Sequence, residues 1–258
     1  MKIITWNCRM KFREEYNLIF PMNPDIVVVP ECEDIKKINF DIFSKPPTDF
    51  YWIGNNEHKG LGVFTFNDIT IDLDLNYNDT YEYILPLILK RKKERYHLLG
   101  VWTQEVKGER KNNPPFNEKV LDEKGKIIPI NYIRQFRLSM IHYSEFLENE
   151  NVIICGDFNS NLLWTKPYGI VTDRDHEYVV KYLGLKNIYS SYHHYFNEEQ
   201  GKETLPTFYY HHKKHKPFHI DFCFLSKKLL DKITKVEVGK YEDWKKYSDH
   251  VPMIINME

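Results

Sequence analysis

Near the carboxyl end of the chain, Ser248-Asp249-His250 leads directly into Val251-Pro252-Met253-Ile254-Ile255. The apolar second part predicts a short buried strand. Just before that strand, an acidic residue beside a histidine places a metal ligand or proton acceptor next to a proton donor. The pair is a weak signal alone, so its meaning depends on what ends the other apolar runs.

Four further polar clusters precede this one, and each ends an apolar run typical of a strand: Trp6-Asn7, Pro30-Glu31, Gly156-Asp157-Phe158-Asn159-Ser160 and His219-Ile220-Asp221. A single carboxylate at a strand end is usually a solvated boundary residue. Several on different strands converge only if the strand ends share one rim, where a cation or a histidine proton must offset their repulsion. Mg²⁺ prefers carboxylate, amide and phosphate oxygens, so the pattern favours phosphate-ester chemistry.

The composition leaves the function to local features. The 258 residues are 42% hydrophobic and 15% aromatic, enough for one large domain. A net charge of −1 gives no global attraction for nucleic acid or membrane, so a nucleic-acid enzyme would need a local basic patch. No apolar run reaches the roughly 18 residues of a membrane span, and no signal segment is recognisable. We therefore expect a cytoplasmic protein with no membrane partner and no obligate protein partner.

The chain has four cysteines without C-x-x-C spacing, at positions 8, 32, 155 and 223. This spacing argues against a zinc site or a disulfide framework. We interpret the four as small buried residues on packed strands. The alternative is that Cys8 and Cys32 lie close together and oxidise near the site.

Hydrophobic periodicity predicts many strands and few helices. Strands are expected over residues 2–7, 25–31, 50–53, 61–66, 69–73, 83–89, 96–103, 152–155, 207–211, 220–225, 233–238 and 251–255. Helices are expected over 12–20, 131–148 and 175–183, and long polar loops over 104–129 and 196–206. The first strand, helix and strand have the spacing of a crossover unit. We predict an α/β fold in one domain, residues 1–258, with two layers of sheet and helices outside.

The ordered set W-N, P-E, G-D-F-N-S, I-D and S-D-H resembles the endonuclease/exonuclease/phosphatase superfamily. That superfamily includes exonuclease III, abasic-site endonucleases, deoxyribonuclease I, deadenylases, neutral sphingomyelinases and inositol-polyphosphate phosphatases. The resemblance spans the chain from Asn7 to His250. It implies a four-layer sandwich, with two mixed, mostly antiparallel sheets packed face to face and helices on the outside.

The resemblance also implies a role for each matching residue. Glu31 would hold Mg²⁺, with Mn²⁺ as an alternative ion, and Asn7 and Asp249 would lie on the metal side. Asp157 would align or deprotonate the attacking water, and Asn159 would help to hold the water and the phosphate. His250, oriented by Asp221, would act on the scissile phosphate. The reaction would be in-line attack of water on a phosphate ester without a covalent intermediate.

The chain departs from the family pattern at two places. Many members carry T-H on the strand before the central loop, where residues 101–104 here read Val-Trp-Thr-Gln. Tyr132 and Arg134 match only loosely the Tyr and Arg of abasic-site endonucleases, and we take them as candidate substrate-binding residues. The additional motifs of inositol-phosphate phosphatases are not recognisable. We expect the polar loop 104–129 to overhang the site and to influence substrate preference.

Two basic clusters bear on the substrate. Residues 90–93, Lys-Arg-Lys-Lys, fit a solvated hairpin turn better than a binding surface. Residues 211–216, His-His-Lys-Lys-His-Lys, lie among aromatic residues just ahead of Asp221, so nucleic-acid binding and a solvated loop are equally supported. Within this cluster, Lys213 and Lys214 are candidate substrate contacts.

Three functions therefore remain open. The leading hypothesis is a Mg²⁺-dependent nuclease that hydrolyses DNA or RNA. The second is a phosphatase or phosphodiesterase for a small molecule or a lipid headgroup. The third is a binding module that retains the fold without catalysis, against which the intact set of polar clusters argues.

Overall fold

The structure is a computed structural model that describes residues 1–42, 45–105, 132–165 and 172–258. Within these ranges the strands are β1 (Lys2–Thr5), β2 (Ile26–Cys32), β3 (Asp49–Asn56), β4 (Lys59–Thr65), β5 (Thr70–Leu73), β6 (Ile84–Arg91), β7 (Glu94–Trp102), β8 (Val152–Asp157), β9 (Ile188–Ser190), β10 (Phe208–Tyr209), β11 (Pro217–Phe218), β12 (Asp221–Ser226), β13 (Ile233–Val238) and β14 (Met253–Met257). The helices are α1 (Phe12–Glu15), α2 (Ile133–His142), α3 (Thr172–Leu185), α4 (Ser191–Phe196), α5 (Lys227–Leu230) and α6 (Tyr241–Trp244).

The first sheet has six strands in the order β13-β14-β1-β2-β4-β3. Strands β1 and β2 pair in parallel, with Ile4 opposite Val27, so the predicted crossover unit is confirmed. Strand β14 runs antiparallel to β1, with Ile254 opposite Ile4. The start of β14 therefore lies at the same sheet edge as the ends of β1 and β2.

The second sheet has six strands in the order β5-β6-β7-β8-β12-β9. Strands β7 and β8 are parallel, and β12 is antiparallel to β8, with Asp221 opposite Asp157. Strands β10 and β11 form a separate two-stranded hairpin. Each large sheet is thus mixed but mostly antiparallel.

Alternating residues of the central strands face two different apolar layers. In β2, Val28 packs into the core between the sheets, whereas Val27 and Val29 pack outward against Phe12 and its neighbours. In β8, the side chains alternate in the same way between the inner core and an outer layer that includes residues of α2 and α3. Strands that are buried on both faces explain the continuous apolar runs of the sequence. The expected four-layer α/β sandwich is confirmed.

Most predicted strands agree with the structure to within a few residues, and the helices agree less well. The helix expected over 12–20 is α1 followed by 3₁₀ turns, the last of which spans Phe20–Met22 and contains Pro21, which has no amide hydrogen to donate. The helix expected over 131–148 is α2 plus a separate 3₁₀ turn, Phe146–Glu148. Strand β9 and helix α4 were not predicted, because Ile188–Phe196 is too short to show a period.

The turn between β6 and β7 tests the interpretation of the first basic cluster. Lys92 and Lys93 form the turn between β6 and β7, which confirms the hairpin interpretation of that basic cluster. Most of the expected loop over 104–129 lies outside the described residues. In the part of the chain that the structure covers, no helix is long and apolar enough to span a bilayer.

Candidate active site

Five polar side chains from both sheets meet at one edge of the sandwich. Asn7 follows β1, Glu31 lies near the end of β2, and Asp157 ends β8, while Asp221 begins β12 and His250 precedes β14. Parallel strands end at the same edge, and an antiparallel neighbour begins there. The topology therefore brings together residues that are far apart in the sequence.

Asn7 links the two sheets across this edge. Its side-chain amide donates hydrogen bonds to Asp157 Oδ2 at 3.0 Å and to Glu31 Oε1 at 3.3 Å. Its side-chain oxygen accepts a hydrogen bond from the Arg9 backbone amide at 3.0 Å. An amide is suited to this position because it bonds two carboxylates without adding to their negative charge.

Asn159 also holds the Asp157 carboxylate in position. The Asn159 backbone amide donates to Asp157 Oδ1 at 2.9 Å, and its side-chain amide donates to Asp157 Oδ2 at 3.0 Å and to the Thr103 carbonyl at 2.8 Å. The Thr103 hydroxyl in turn donates to the Phe158 carbonyl. Asn159 has a φ of 44°, a left-handed conformation that Asn tolerates better than most residues. This turn fixes both oxygens of Asp157.

His250 is oriented by Asp221 and faces Asp157. Its Nδ1 lies 2.9 Å from Asp221 Oδ2, and its Nε2 lies 3.9 Å from Asp157 Oδ2. The three residues are at most 5% exposed. A carboxylate at Nδ1 fixes the ring and leaves Nε2 to interact with another group.

The backbone around His250 is held equally firmly. The Ser248 hydroxyl donates to the Asn7 carbonyl at 2.8 Å and accepts from the His250 amide at 3.1 Å. The Trp6 indole donates to the His250 carbonyl at 3.1 Å. The Thr207 hydroxyl accepts from the Asp221 amide at 3.0 Å. The geometry of this candidate site is therefore built by contacts between chain segments distant in sequence.

Burial and charge shift the pKa values of Asp157 and His250. Burial, with the nearby Asp221 carboxylate, raises the pKa of Asp157 to about 7. Burial alone would lower the pKa of His250, but the Asp221 and Asp157 carboxylates outweigh it and raise this pKa to about 10. The pair therefore combines a carboxylate that accepts a proton near neutral pH with a histidine that stays protonated.

The donor set at this edge fits a hard divalent cation. Atoms of the Asp157 and Asp221 carboxylates and of the His250 ring lie within 4.8 Å of one another. The protonated ring has no free nitrogen for a metal, so only the carboxylates of this group are candidate ligands. Asp221 Oδ1 is buried without a hydrogen-bond partner among the described residues, which leaves a carboxylate oxygen available to a cation. Glu31 is half-buried beside Asn7, with a left-handed φ of 56°, and Asp249 is half-buried next to His250. Oxygen ligands of this kind suit Mg²⁺.

The candidate substrate-binding residues occupy different environments. Tyr132 is half-buried; burial raises its pKa, and the charges of Glu105 and Asp157 add to the effect. Arg134 is 6% exposed and bonds Asp175 Oδ2 through Nε at 2.8 Å, so the structure places it in the interior. Lys213 and Lys214 are exposed on the β10–β11 hairpin, and Lys214 is paired with Glu242 at 2.8 Å.

Sequence reasoning missed several residues that shape the site. The Phe208 ring lies 4.6 Å from the His250 ring, and Arg9 NH1 lies 2.6 Å from His212 Nε2. Thr103 and Thr207 position Asn159 and Asp221 through hydrogen bonds. A threonine or phenylalanine within a strand-like run carries no signal for such a contact. For Arg9, the one available signal was its position two residues after Asn7.

The four cysteines of the chain are free and buried, as the packing interpretation predicted. Burial raises the pKa values of Cys8 and Cys32 well above the usual range. A thiol with a raised pKa carries little thiolate at neutral pH, so these residues are poor nucleophiles. The structure favours packing over oxidation chemistry for this pair.

Solved structures share this fold over the whole chain. The 3′ phosphatase NExo from Neisseria, bound to a product DNA hairpin, is 16% identical with a TM-score of 0.61, covering 100% of this chain and 99% of that one. An AP endonuclease from Archaeoglobus fulgidus is 14% identical with a TM-score of 0.66 and the same coverage. The endonuclease domain of TRAS1, a telomere-specific non-LTR retrotransposon, is 14% identical with a TM-score of 0.61, covering 100% of this chain and 97% of that one.

No protein-family model matches the sequence, and the comparison with curated proteins finds no match. The neighbours are exonuclease, AP endonuclease and retrotransposon endonuclease structures of the endonuclease/exonuclease/phosphatase superfamily. At 14–16% identity, they establish that this chain has the fold of that superfamily. The argument for its chemistry depends on its own residues.

Proposed function

We propose that this protein is a metal-dependent phosphodiesterase, and specifically a nuclease that hydrolyses DNA or RNA. The observation that carries the proposal is the buried group Asp157, Asp221 and His250, in which Asn7 and Asn159 donate hydrogen bonds to Asp157. Both sheets contribute to this group, so we propose that residues 1–258 act as one catalytic domain.

The protein side chains support in-line attack of water on a phosphate. Asp157 accepts hydrogen bonds at both oxygens, which holds it in position to align the water and take its proton. His250 carries its proton at neutral pH and stabilises the added negative charge of the phosphate through Nε2. Asp221 keeps the ring oriented and charged. Asn159 helps to hold the water and the phosphate.

Glu31, Asn7 and Asp249 supply the oxygen ligands that would hold Mg²⁺, with Mn²⁺ as an alternative ion. When bound, the ion supplies Lewis-acid stabilisation of the phosphate charge. A cation here would also offset the mutual repulsion of the carboxylates, which adds to burial in raising the pKa of Asp157.

The surface beside the centre favours nucleic acid over a small phosphate ester. The β10–β11 hairpin carries a run of exposed basic residues, including Lys213 and Lys216, interleaved with Tyr210 and Phe218. Cations bind backbone phosphates and aromatic rings stack on bases. The neighbour NExo was solved with a DNA hairpin, which supports a DNA substrate. A cytoplasmic location and action without a protein partner stay predictions.

The test is hydrolysis of plasmid DNA, single-stranded DNA and single-stranded RNA by purified protein, with Mg²⁺ and with EDTA. Cleavage is expected with Mg²⁺ and not with EDTA. It is expected to fall at least 10²-fold in Asp157→Ala and in His250→Ala. Asp243→Ala and His194→Ala, at exposed positions, are the matched controls.

Two results would contradict the proposal. Folded protein that cleaves none of the three substrates, but hydrolyses small phosphate esters, would assign the site to a small-molecule phosphoesterase. Folded protein that hydrolyses no phosphate ester would indicate a binding module that retains the fold.

A further inference from the structure

Two loops beside the catalytic centre are joined by Arg9 and His212. Arg9 lies in the segment between β1 and α1, and His212 lies in the turn of the β10–β11 hairpin. Arg9 NH1 is 2.6 Å from His212 Nε2, although the residues are 203 positions apart in the sequence. Arg9 is exposed and His212 half-buried, so the pair faces solvent.

Short bonds connect this pair to the centre. The Arg9 backbone amide donates to Asn7 Oδ1 at 3.0 Å, and Asn7 bonds Asp157 and Glu31. The hairpin that carries His212 also carries Phe208, whose ring packs against His250. A ligand that occupies the centre therefore has the Arg9–His212 pair along one side.

The chemistry of the pair is suited to an anion. In the part of the chain that the structure describes, the Arg9 side chain is bonded to a neutral acceptor nitrogen and not to a carboxylate. An arginine fork has five N–H donors, so most of them remain for another acceptor. A phosphate oxygen between the two groups would accept a charge-assisted hydrogen bond from the Arg9 guanidinium and a second hydrogen bond from a ring N–H of His212.

The backbone of both loops is strained at the same place. Arg9 and Met10 have φ values of 53° and 62°, and His211 and His212 have φ values of 54° and 56°. A left-handed backbone is unfavourable for residues other than glycine. Such strain clusters at ligand clamps, where it fixes side chains in a required direction. The Tyr241 hydroxyl, which donates to the His212 carbonyl at 2.6 Å, stabilises the hairpin turn.

We propose that Arg9 and His212 form a clamp for one backbone phosphate of the substrate strand, next to the phosphate that is hydrolysed. This inference rests on the proposed nuclease function and adds the residues that set strand position. Met10 is 42% exposed and Tyr210 46% exposed on the same two loops, which offers apolar surface for the adjoining sugars or bases.

The test measures binding of labelled single-stranded DNA and RNA in EDTA, at several salt concentrations, for wild type, Arg9→Asn, His212→Asn and the double variant. Asn is chosen because it tolerates the left-handed backbone of both positions. Each single variant is expected to raise Kd about five- to tenfold. The Arg9→Asn variant should also reduce the slope of log K against log salt by about 0.7, the value for one phosphate contact on a single strand.

The double variant decides whether one phosphate is shared. If both side chains hold the same phosphate, the double variant should bind little worse than the weaker single variant. Arg9→Lys should keep the salt slope while raising Kd, because it keeps the charge and loses the fork. The matched control is Lys181→Asn on α3, where Lys181 is paired with Glu177 and should not affect binding.

Three outcomes would overturn the clamp. Unchanged Kd and salt slope in folded Arg9→Asn would show that Arg9 only pins the loops together. Fully additive single effects would assign the two side chains to separate contacts. Wild-type protein that neither binds nor cleaves nucleic acid would remove the proposed function and the clamp with it. If Arg9→Asn unfolds, the Arg9→Lys and His212→Asn measurements decide in the same way.

Discussion

Asp157 and Asp221 lie directly opposite each other, at the last residue of β8 and the first residue of β12. Each is 1% exposed, and both lie next to the His250 ring. Two buried carboxylates would repel each other, so the protonated histidine between them offsets part of their charge. The same strand pairing that builds the second sheet thereby brings the two carboxylates of the proposed proton-transfer group together.

Asp221→Asn should separate the effect of Asp221 on the orientation of the His250 ring from its effect on the charge of that ring. The amide still reaches His250 Nδ1, but it no longer stabilises the protonated ring, so the pKa of His250 falls. We expect kcat/KM to decrease at least 10²-fold. The loss of activity at high pH should begin at a lower pH than in the wild type, because the ring loses its proton more readily. The measurement is the pH profile of cleavage, with Asp243→Asn as control. An unshifted profile would show that Asp221 acts on stability alone.

Gly156→Ala should unfold the protein or weaken it severely. A Cβ at Gly156 would lie 1.8 Å from the Val101 carbonyl oxygen, and its φ of 148° is strained for any other residue. The neighbouring strand backbone cannot move without breaking the β7–β8 pairing, so we expect a loss of about 3 kcal/mol or more in the free energy of unfolding.

The control for this substitution is Gly184→Ala. Within the described ranges, a Cβ there meets only the Tyr189 ring at 3.8 Å, and the residue lies within α3. Ala is a better helix former than Gly, so stability should rise by about 0.5–1 kcal/mol. Urea denaturation of both variants measures the difference. Equal effects of the two substitutions would contradict the argument.

Glu15 should make stability depend on pH. Glu15 is 7% exposed, and burial raises its pKa from 4.5 to about 7. Because the pKa of Glu15 is higher in the folded state than in the unfolded state, the fold favours the uncharged form of this side chain. The stability it contributes is complete below the unfolded pKa and is lost as pH rises from about 4.5 through 7.

Glu15→Gln should remove this loss and raise the free energy of unfolding by about 1–3 kcal/mol at pH 8, with little effect at pH 4. The measurement is urea denaturation across this pH range, with the exposed Glu14→Gln as control. A difference between wild type and variant that does not change with pH would rule out the titration of Glu15 as its cause.

Arg134→Gln should affect stability more than substrate affinity. Asp175 is 2% exposed and is bonded by Arg134 and Arg137, so loss of Arg134 leaves a buried carboxylate with one remaining arginine partner among the described residues. We expect a loss of about 2–4 kcal/mol in the free energy of unfolding. Thermal denaturation and KM for the best nucleic-acid substrate measure the two effects. A KM increase above tenfold without a change in stability would contradict this prediction and support Arg134 as a substrate contact.

The strands, and the polar residues that meet at their ends, were the predictable part of this protein. Runs such as 26–29 are continuous and β-branched because their strands are buried on both faces, so their identity is local information. The polar residues that end these runs were recognisable for the same reason. Helix ends and short elements such as β9 were not, because their stability comes from packing on the sheet and not from local preference.

By itself, the sequence determined which residues the centre contains, because carboxylate, amide and imidazole side chains interrupt apolar runs where burial would otherwise exclude them. Only the tertiary structure decided how they pair. Strand register places Asp221 opposite Asp157. Contacts between segments far apart in sequence place Arg9 against His212 and the Thr207 hydroxyl against the Asp221 amide. The physical reason is that these contacts depend on long-range pairing and chain direction, which no local pattern encodes.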